Sequence, residues 1–232
     1  MIELTGVHKT YVLGKTKVPA LKGIDLKIEK GAFISVAGPS GSGKTTLLNL
    51  IGCLDRPDSG SIMIEGEAVA EAPRNRRAEI RAHKVGFIFQ SFNLIPVLNV
   101  YENIEFPLFV SRKIMSERDR RKHIHRLIEQ VGLTEHIKHK PDTLSGGQRQ
   151  RVAIARALAT CPSIVLADEP TANLDSETGK MILSLMRTLN ETDKVTFLFA
   201  THDKNIMQYA SHIYHLHDGR IADSLIQQSQ NQ

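Results

Sequence analysis

Two hundred and thirty-two residues, at roughly 150 per domain, suit one large α/β unit with an inserted or appended subdomain. With 41% apolar and 24% charged residues, the composition sits near the globular average and excludes a disordered, collagen-like or disulfide-stapled protein. The longest apolar stretches, such as Ile164 to Ala167 and Phe197 to Ala200, fall far short of the ~18 residues that cross a bilayer, and no apolar block follows Met1. The expectation is a soluble chain that is not exported.

The net charge of +5 is unevenly placed. Arg112 to Arg126 holds Arg112, Lys113, Arg118, Arg120, Arg121, Lys122 and Arg126 against Glu117 and Asp119, and Arg74 to Lys84 forms a second basic piece. Such patches face nucleic acid or anionic lipid, or form a solvated helix face. No aromatic residues interleave either segment as a base-stacking surface requires, so the solvated face is favoured and no nucleic-acid partner is expected. Cys53 and Cys161 lie beside apolar residues without CxxC spacing and read as two buried, reduced thiols.

Residues 2 to 36 alternate apolar and polar in short runs punctuated by Gly14, Gly23 and Gly31, the pattern of antiparallel strands with one wet face. Phe33 to Ala37 is a short buried strand that runs into a glycine-rich loop and then a helix over Thr45 to Cys53. More strand signal follows at Ser61 to Glu65 and Val85 to Phe89. From Phe92 to about Thr160 the pattern turns helical: Pro96 and Pro107 bracket a short helix, Ser116 caps an amphipathic one through Val131, and Gly146 to Ala159 reads as a third. Strands at Ser163 to Ala167 and Val195 to Ala200 flank a helix over Ser176 to Leu189, a β-α-β unit that implies parallel pairing. Ser224 to Gln232 is read as a frayed tail.

The segment Gly38-Pro39-Ser40-Gly41-Ser42-Gly43-Lys44-Thr45 fits the G-x-x-x-x-G-K-[ST] phosphate loop, between strand and helix where that match has meaning. Glycines let successive N–H groups point at an anion, the following helix adds its positive dipole end, Lys44 meets the β- and γ-phosphates, and the Thr45 hydroxyl ligates Mg²⁺. Thr46 follows in the first turn. The strand Ser163 to Ala167 ends in Asp168 and Glu169, whose side chains alternate to opposite sides of a strand. Asp168 suits the Mg²⁺ shell, and Glu169 is free to polarise the attacking water. Ser145-Gly146-Gly147-Gln148 opens a basic helix and reads as a second anion-binding helix start. One nucleotide hardly needs two such sites in one chain, so the second is assigned to a nucleotide held by another copy.

With Leu144 to Gln148 reading LSGGQ, the sequence resembles the nucleotide-binding subunit of an ATP-binding cassette (ABC) transporter over Ile2 to about Asp223. The resemblance implies further roles: Tyr11 stacks on adenine, Gln90 senses Mg²⁺ and the attacking water, Asn173-Leu174-Asp175 forms the D-loop, and His202 hydrogen-bonds the γ-phosphate. It implies an α/β phosphate-loop NTPase core with a mixed central sheet, an N-terminal antiparallel β subdomain and an inserted α-helical subdomain, all in one domain. The core and β subdomain are expected at about 1–91 and 161–223, the helical subdomain at about 92–160. It also implies a head-to-tail homodimer holding two ATP molecules with Mg²⁺, and ATP hydrolysis that opens it.

Residues Gln90 to Pro96, with Glu102-Asn103 and Pro107-Leu108, are similar to the lipoprotein-release and macrolide-export subgroup, which implies a separate transmembrane permease docked on the apolar surface after Gln90 and a peripheral place on the cytoplasmic membrane face. A regulatory cassette of the cell-division type is the alternative. A soluble cassette acting on DNA or ribosomes fits poorly with so short a helical insert. The basic segment near Arg118 to Arg126 is a candidate contact for anionic lipid.

Overall fold

A computed structural model describes residues 2–226. In chain order its elements are β1 (Ile2–Leu13), β2 (Thr16–Ile28), β3 (Phe33–Ala37), α1 (Lys44–Ile51), β4 (Ser59–Ile64), β5 (Glu67–Ala68), α2 (Arg74–Lys84), β6 (Val85–Ile88), α3 (Val100–Val110), α4 (Glu117–Gln130), α5 (Gly146–Leu158), β7 (Ile164–Asp168), α6 (Ser176–Asp193), β8 (Thr196–Thr201), α7 (Lys204–Met207), β9 (His212–His217) and β10 (Arg220–Ile226).

The strands form two sheets. A four-stranded sheet in the order β2-β1-β4-β5 is antiparallel throughout, and its alternating buried and exposed residues give the expected wet face. The second sheet has the order β10-β9-β3-β8-β7-β6. It is parallel from β9 to β6, and β10 adds an antiparallel edge, so the sheet is mixed as expected.

Alternation along its central strands divides the core in two. Phe33, Val165, Phe197 and Phe199 point to the side covered by α3, α4, α5 and α6. Ile34, Val36, Leu166 and Leu198 point to the side shared with α1 and the antiparallel sheet. Burial on both faces explains why β3, β7 and β8 read as continuous apolar runs. It also fixes their register, since a slip of one residue would exchange the two faces.

Four expectations are corrected. The helix placed between Pro96 and Pro107 begins at Asn99, where the Asn99 and Glu102 side chains close a reciprocal capping box, and it runs through Pro107 to Val110. Pro107 removes only the N–H that would reach Asn103, and Ser111 N still donates to the Pro107 carbonyl at 2.9 Å. Cys161, expected to be buried, is exposed, because it occupies a left-handed turn (φ 52°) between α5 and β7. Ser224 and Leu225 pair with Tyr214 and Ile213 of β9 instead of fraying, while the rest of the expected tail, 227–232, lies outside the described residues. The fourth concerns Glu169 and is described with its site.

The basic segment Arg74 to Lys84 is helix α2, and the other is helical from Glu117, in α4, with Arg112 and Lys113 in the connection before it. On α4, Arg120 pairs with Glu105 at 2.8 Å and Arg126 with Asp193 at 2.9 Å.

Candidate active site

The carboxyl ends of β3, β6, β7 and β8 meet at one edge of the parallel sheet, where ligands bind in open α/β folds. They surround a cleft of about 730 Å³ lined by Ser40, Gly41, Gly43, Lys44, Thr45, Thr46, Gln90, Asp168, Glu169 and His202, among others. The chain enters from β3 at Gly38, where a Cβ would stand 2.1 Å from the Leu216 carbonyl oxygen; only glycine fits. Gly43 then caps α1 in a left-handed conformation (φ 108°) without any side-chain bond to the first helical turn. The N–H groups of that turn stay free for an anion.

Lys44 is buried, and its Nζ donates to the carbonyls of Gly38 at 2.8 Å and Pro39 at 3.0 Å. This holds the ammonium over the loop. The Ser42 hydroxyl is buried with no hydrogen-bond partner among the described residues.

Thr45 Oγ1 donates to Asp168 Oδ2 at 2.9 Å, bringing together the two groups read as Mg²⁺ ligands. Burial raises the Asp168 carboxyl above the usual carboxylate range, against the Thr45 hydrogen bond, and Glu169 adds to the rise. A hard oxygen donor pair whose anionic member is held at a desolvation cost fits a divalent cation such as Mg²⁺.

Glu169 does not continue the strand alternation. It lies one residue past β7 with a left-handed backbone (φ 48°), so it lines the same cleft as Asp168 instead of facing away. The two carboxylates still keep different partners. Glu169 Oε1 accepts from His202 Nδ1 at 2.6 Å, and its Oε2 accepts from Thr201 Oγ1 at 3.3 Å. A carboxylate only accepts, so His202 carries a proton on Nδ1 and leaves Nε2 for another partner. Gln90 lines the same cleft two residues past β6, exposed, and its backbone carbonyl accepts from Asn173 Nδ2 at 2.8 Å.

Tyr11 stands outside the cleft lining. Its hydroxyl donates to Asp55 Oδ2 at 2.9 Å, and burial followed by this bond raises it above the ordinary tyrosine value.

The second predicted anion site, Ser145 to Gln148, also lies outside this cleft. Ser145 is exposed at the N-cap of α5. Its Oγ accepts from Gln148 N at 3.2 Å, and Gln148 Oε1 accepts from Ser145 N at 2.8 Å. The two glycines serve a contact within the chain. A Cβ on Gly147 would lie 2.5 Å from Thr178 Cγ2, and one on Gly146 would lie 3.3 Å from Leu174 Cδ2. Asp175 caps α6 and accepts from Thr178 N at 3.0 Å. The D-loop thus touches α5 through Leu174 and the end of β6 through Asn173.

Two residues of this network are not predicted from the sequence. Thr201 adjoins His202, and that adjacency is its only signal. His136, whose Nε2 is 2.8 Å from Gln148 Nε2, lies on a separate turn and carries none.

A family model described as ABC transporter matches residues 21–172. The chain belongs to the ABC transporter family. It is similar to a macrolide export ATP-binding/permease protein, MacB, of Syntrophobacter fumaroxidans, with 46% identity over 221 residues. Those residues are 95% of this chain and 31% of that protein, so the cassette spans about a third of it. It is 48% identical over 223 residues to the ABC transporter ATP-binding protein MJ0796 of Methanocaldococcus jannaschii, covering 95% of each. A solved dimeric structure of MJ0796 in a post-hydrolysis state bound to ADP and Pi superposes with a TM-score of 0.89 at 44% identity, over 99% of this chain and 100% of that one. This cassette is therefore an ABC ATPase that binds ATP, with Mg²⁺ as the usual partner ion.

Proposed function

We propose that two copies of this cassette close head to tail on two ATP molecules, reopen on hydrolysis, and so drive a separate membrane permease in export or in extraction of a lipoprotein or peptide. One observation carries the reading: the exposed α5 start at Ser145 is built to receive an anion yet lies outside its own chain's cleft. The dimeric state of the similar MJ0796 structure supports it.

In this reading the loop 38–43 and Lys44, Thr45 and Thr46 hold the triphosphate, and Tyr11 stacks on adenine at the rim. Ser145 to Gln148 and Asp175 of the other copy close over the γ-phosphate. Thr45, Asp168 and Gln90 hold Mg²⁺, which when bound neutralises charge on the phosphate oxygens. Glu169 is oriented by the His202 and Thr201 bonds and polarises the attacking water. His202 turns its remaining ring nitrogen to the γ-phosphate. The chain acts as one ABC domain, with 92–160 as its helical subdomain.

Next to Gln90, a groove of about 270 Å³ is lined by Phe87, Phe89, Phe106, Pro107 and Val110 with Arg81 and Arg156 at its edge. Val110 is 60% and Phe106 42% exposed, a suitable seat for an apolar segment of the permease. No described helix is long and apolar enough to cross a membrane, so the cassette would sit peripherally at the cytoplasmic face through this groove. Co-expression with a candidate membrane permease tests the reading. Co-purification and stimulated ATPase are expected, and Phe106→Glu should abolish both while basal ATPase persists. Unchanged co-purification of that variant would refute the docking site.

A further inference from the structure

Helix α2 carries Arg74, Arg77 and Arg81 at spacings of three and four residues, so their side chains share one helical face. Ala78 lies between them. Its small side chain leaves room for a cavity of about 280 Å³, lined by Cys53, Leu54, Arg74, Arg77, Ala78 and Arg81. None of these residues lines the nucleotide cleft.

Two backbone contacts fix guanidiniums of the cavity wall, and a third holds Arg56, which lies outside that lining but close enough to repel Arg77. Arg77 Nη1 donates to the Asp55 carbonyl at 3.3 Å, Arg81 Nη1 to the Cys53 carbonyl at 3.1 Å, and Arg56 Nη2 to the Ala72 carbonyl at 2.9 Å. Carbonyl capping of the turn after α1 employs one N–H of Arg77 and one of Arg81, and explains neither Arg74 nor the remainder of Arg77. Arg77 Nε is buried without a hydrogen-bond partner among the described residues. Arg74 is exposed and outside every described ion pair.

Little negative charge balances these cations. The carboxylate of Asp55 already accepts from Lys9 Nζ and Tyr11 at 2.9 Å each. Glu67 holds Arg76 and Lys84. The Cys53 thiol in the cavity wall is pushed up to about 11 by burial, despite Arg77 and Arg81, so it stays neutral. Burial, followed by repulsion from Arg56 and Arg81, lowers Arg77 from the usual guanidinium value. Like charges gathered at a concave site with an unspent donor are relieved by an oxyanion, whose geometry a planar guanidinium matches with paired hydrogen bonds.

We propose that Arg74, Arg77 and Arg81 of α2, together with Arg56, form a second anion site that binds a phosphate-class group outside the nucleotide cleft. Arg81 also lines the groove assigned to the permease. If that assignment holds, the site opens toward the membrane, and a phospholipid headgroup is the nearest source; free phosphate is the other.

Titration of the full chain with inorganic phosphate, against chloride at matched ionic strength, should raise its melting temperature. Arg77→Gln should weaken the fitted phosphate affinity at least roughly tenfold, as expected for loss of a charged hydrogen bond, with ATP affinity unchanged. Arg74→Gln, whose side chain supports no described contact, should weaken phosphate in the same direction and decides the matter should Arg77→Gln fail to fold. Flotation with vesicles of phosphatidylglycerol and phosphatidylcholine, against phosphatidylcholine alone, separates the sources. Retention on the anionic vesicles that is lost in the arginine variants identifies a headgroup, and phosphate binding without such retention identifies the free anion. Phosphate affinity equal in wild type and both variants overturns the proposal, whatever the vesicles retain.

Discussion

Gly147→Ala is the most informative single substitution in the α5 start. The new Cβ would lie 2.5 Å from Thr178 Cγ2, about 1 Å inside ordinary contact. Thr178 cannot easily turn away, because a β-branched side chain in the first turn of a helix has few rotamers and its N–H is held by the Asp175 cap at 3.0 Å. Relief therefore needs α5 and α6 to separate or the cap to break. Overpacking costs about 1–3 kcal/mol; a Cβ about 1 Å too close belongs in the upper part, about 2–3 kcal/mol, and the helix preference for Ala over Gly returns about 1 kcal/mol, leaving about 1–2 kcal/mol. At roughly 2–4 °C per kcal/mol for a chain of this size, the net effect is a melting temperature lower by about 2–8 °C in differential scanning calorimetry. Thr178→Ser deletes the clashing methyl and keeps the hydroxyl, so Gly147→Ala/Thr178→Ser should recover most of the loss. A Gly147→Ala protein that melts with the wild type, or a double variant no better than the single one, would refute the reasoning.

Three further outcomes are expected. Lys44→Ala should lose ATP binding in a calorimetric titration, and wild-type affinity would contradict the phosphate-loop assignment. Glu169→Gln should keep ATP affinity but lose turnover by at least about 10²-fold, the scale of a removed general base; rapid phosphate release by this variant would dismiss the water-polarising role. Asp168→Asn concerns stability against pH. Because burial raises the Asp168 carboxyl in the folded chain, its stability contribution is full below the ordinary carboxylate range and is lost as pH rises through the folded value. Without nucleotide, Asp168→Asn should melt above the wild type at pH 7, with a gap that closes on acidification, and should lose Mg²⁺-dependent ATPase. A gap that widens on acidification would reverse the argument.

Those parts of the fold whose signals are local were legible in the sequence. The buried strands β3, β7 and β8 and the loop at Gly38 to Thr45 each carry their pattern within a few residues, and the caps at Ser116 and Ser145 are set by their own first turns. β9 was not legible, because its two fully buried side chains, Ile213 and Leu216, are separated by Tyr214 and His215. The course of α3 through Pro107 depends on the Asn99–Glu102 box upstream, which outweighs one missing N–H. At the site, residue types and order were readable, but contacts made across strands were not. The 2.6 Å bond between Glu169 and His202 joins the ends of β7 and β8. The packing of Gly147 on Thr178 joins two helices. Spacing along a chain carries neither.

The composite pocket is tested most directly in a Glu169→Gln background by counting nucleotides and chains together, with sedimentation velocity and bound ATP measured on one sample. The account predicts a dimer with one ATP per chain. Ser145→Asp should then abolish dimerisation while each chain keeps its ATP, because Asp caps α5 as well as Ser does and places a carboxylate against the neighbouring copy's triphosphate. ATP-loaded Glu169→Gln remaining monomeric, or Ser145→Asp dimerising as readily as its parent, would contradict it.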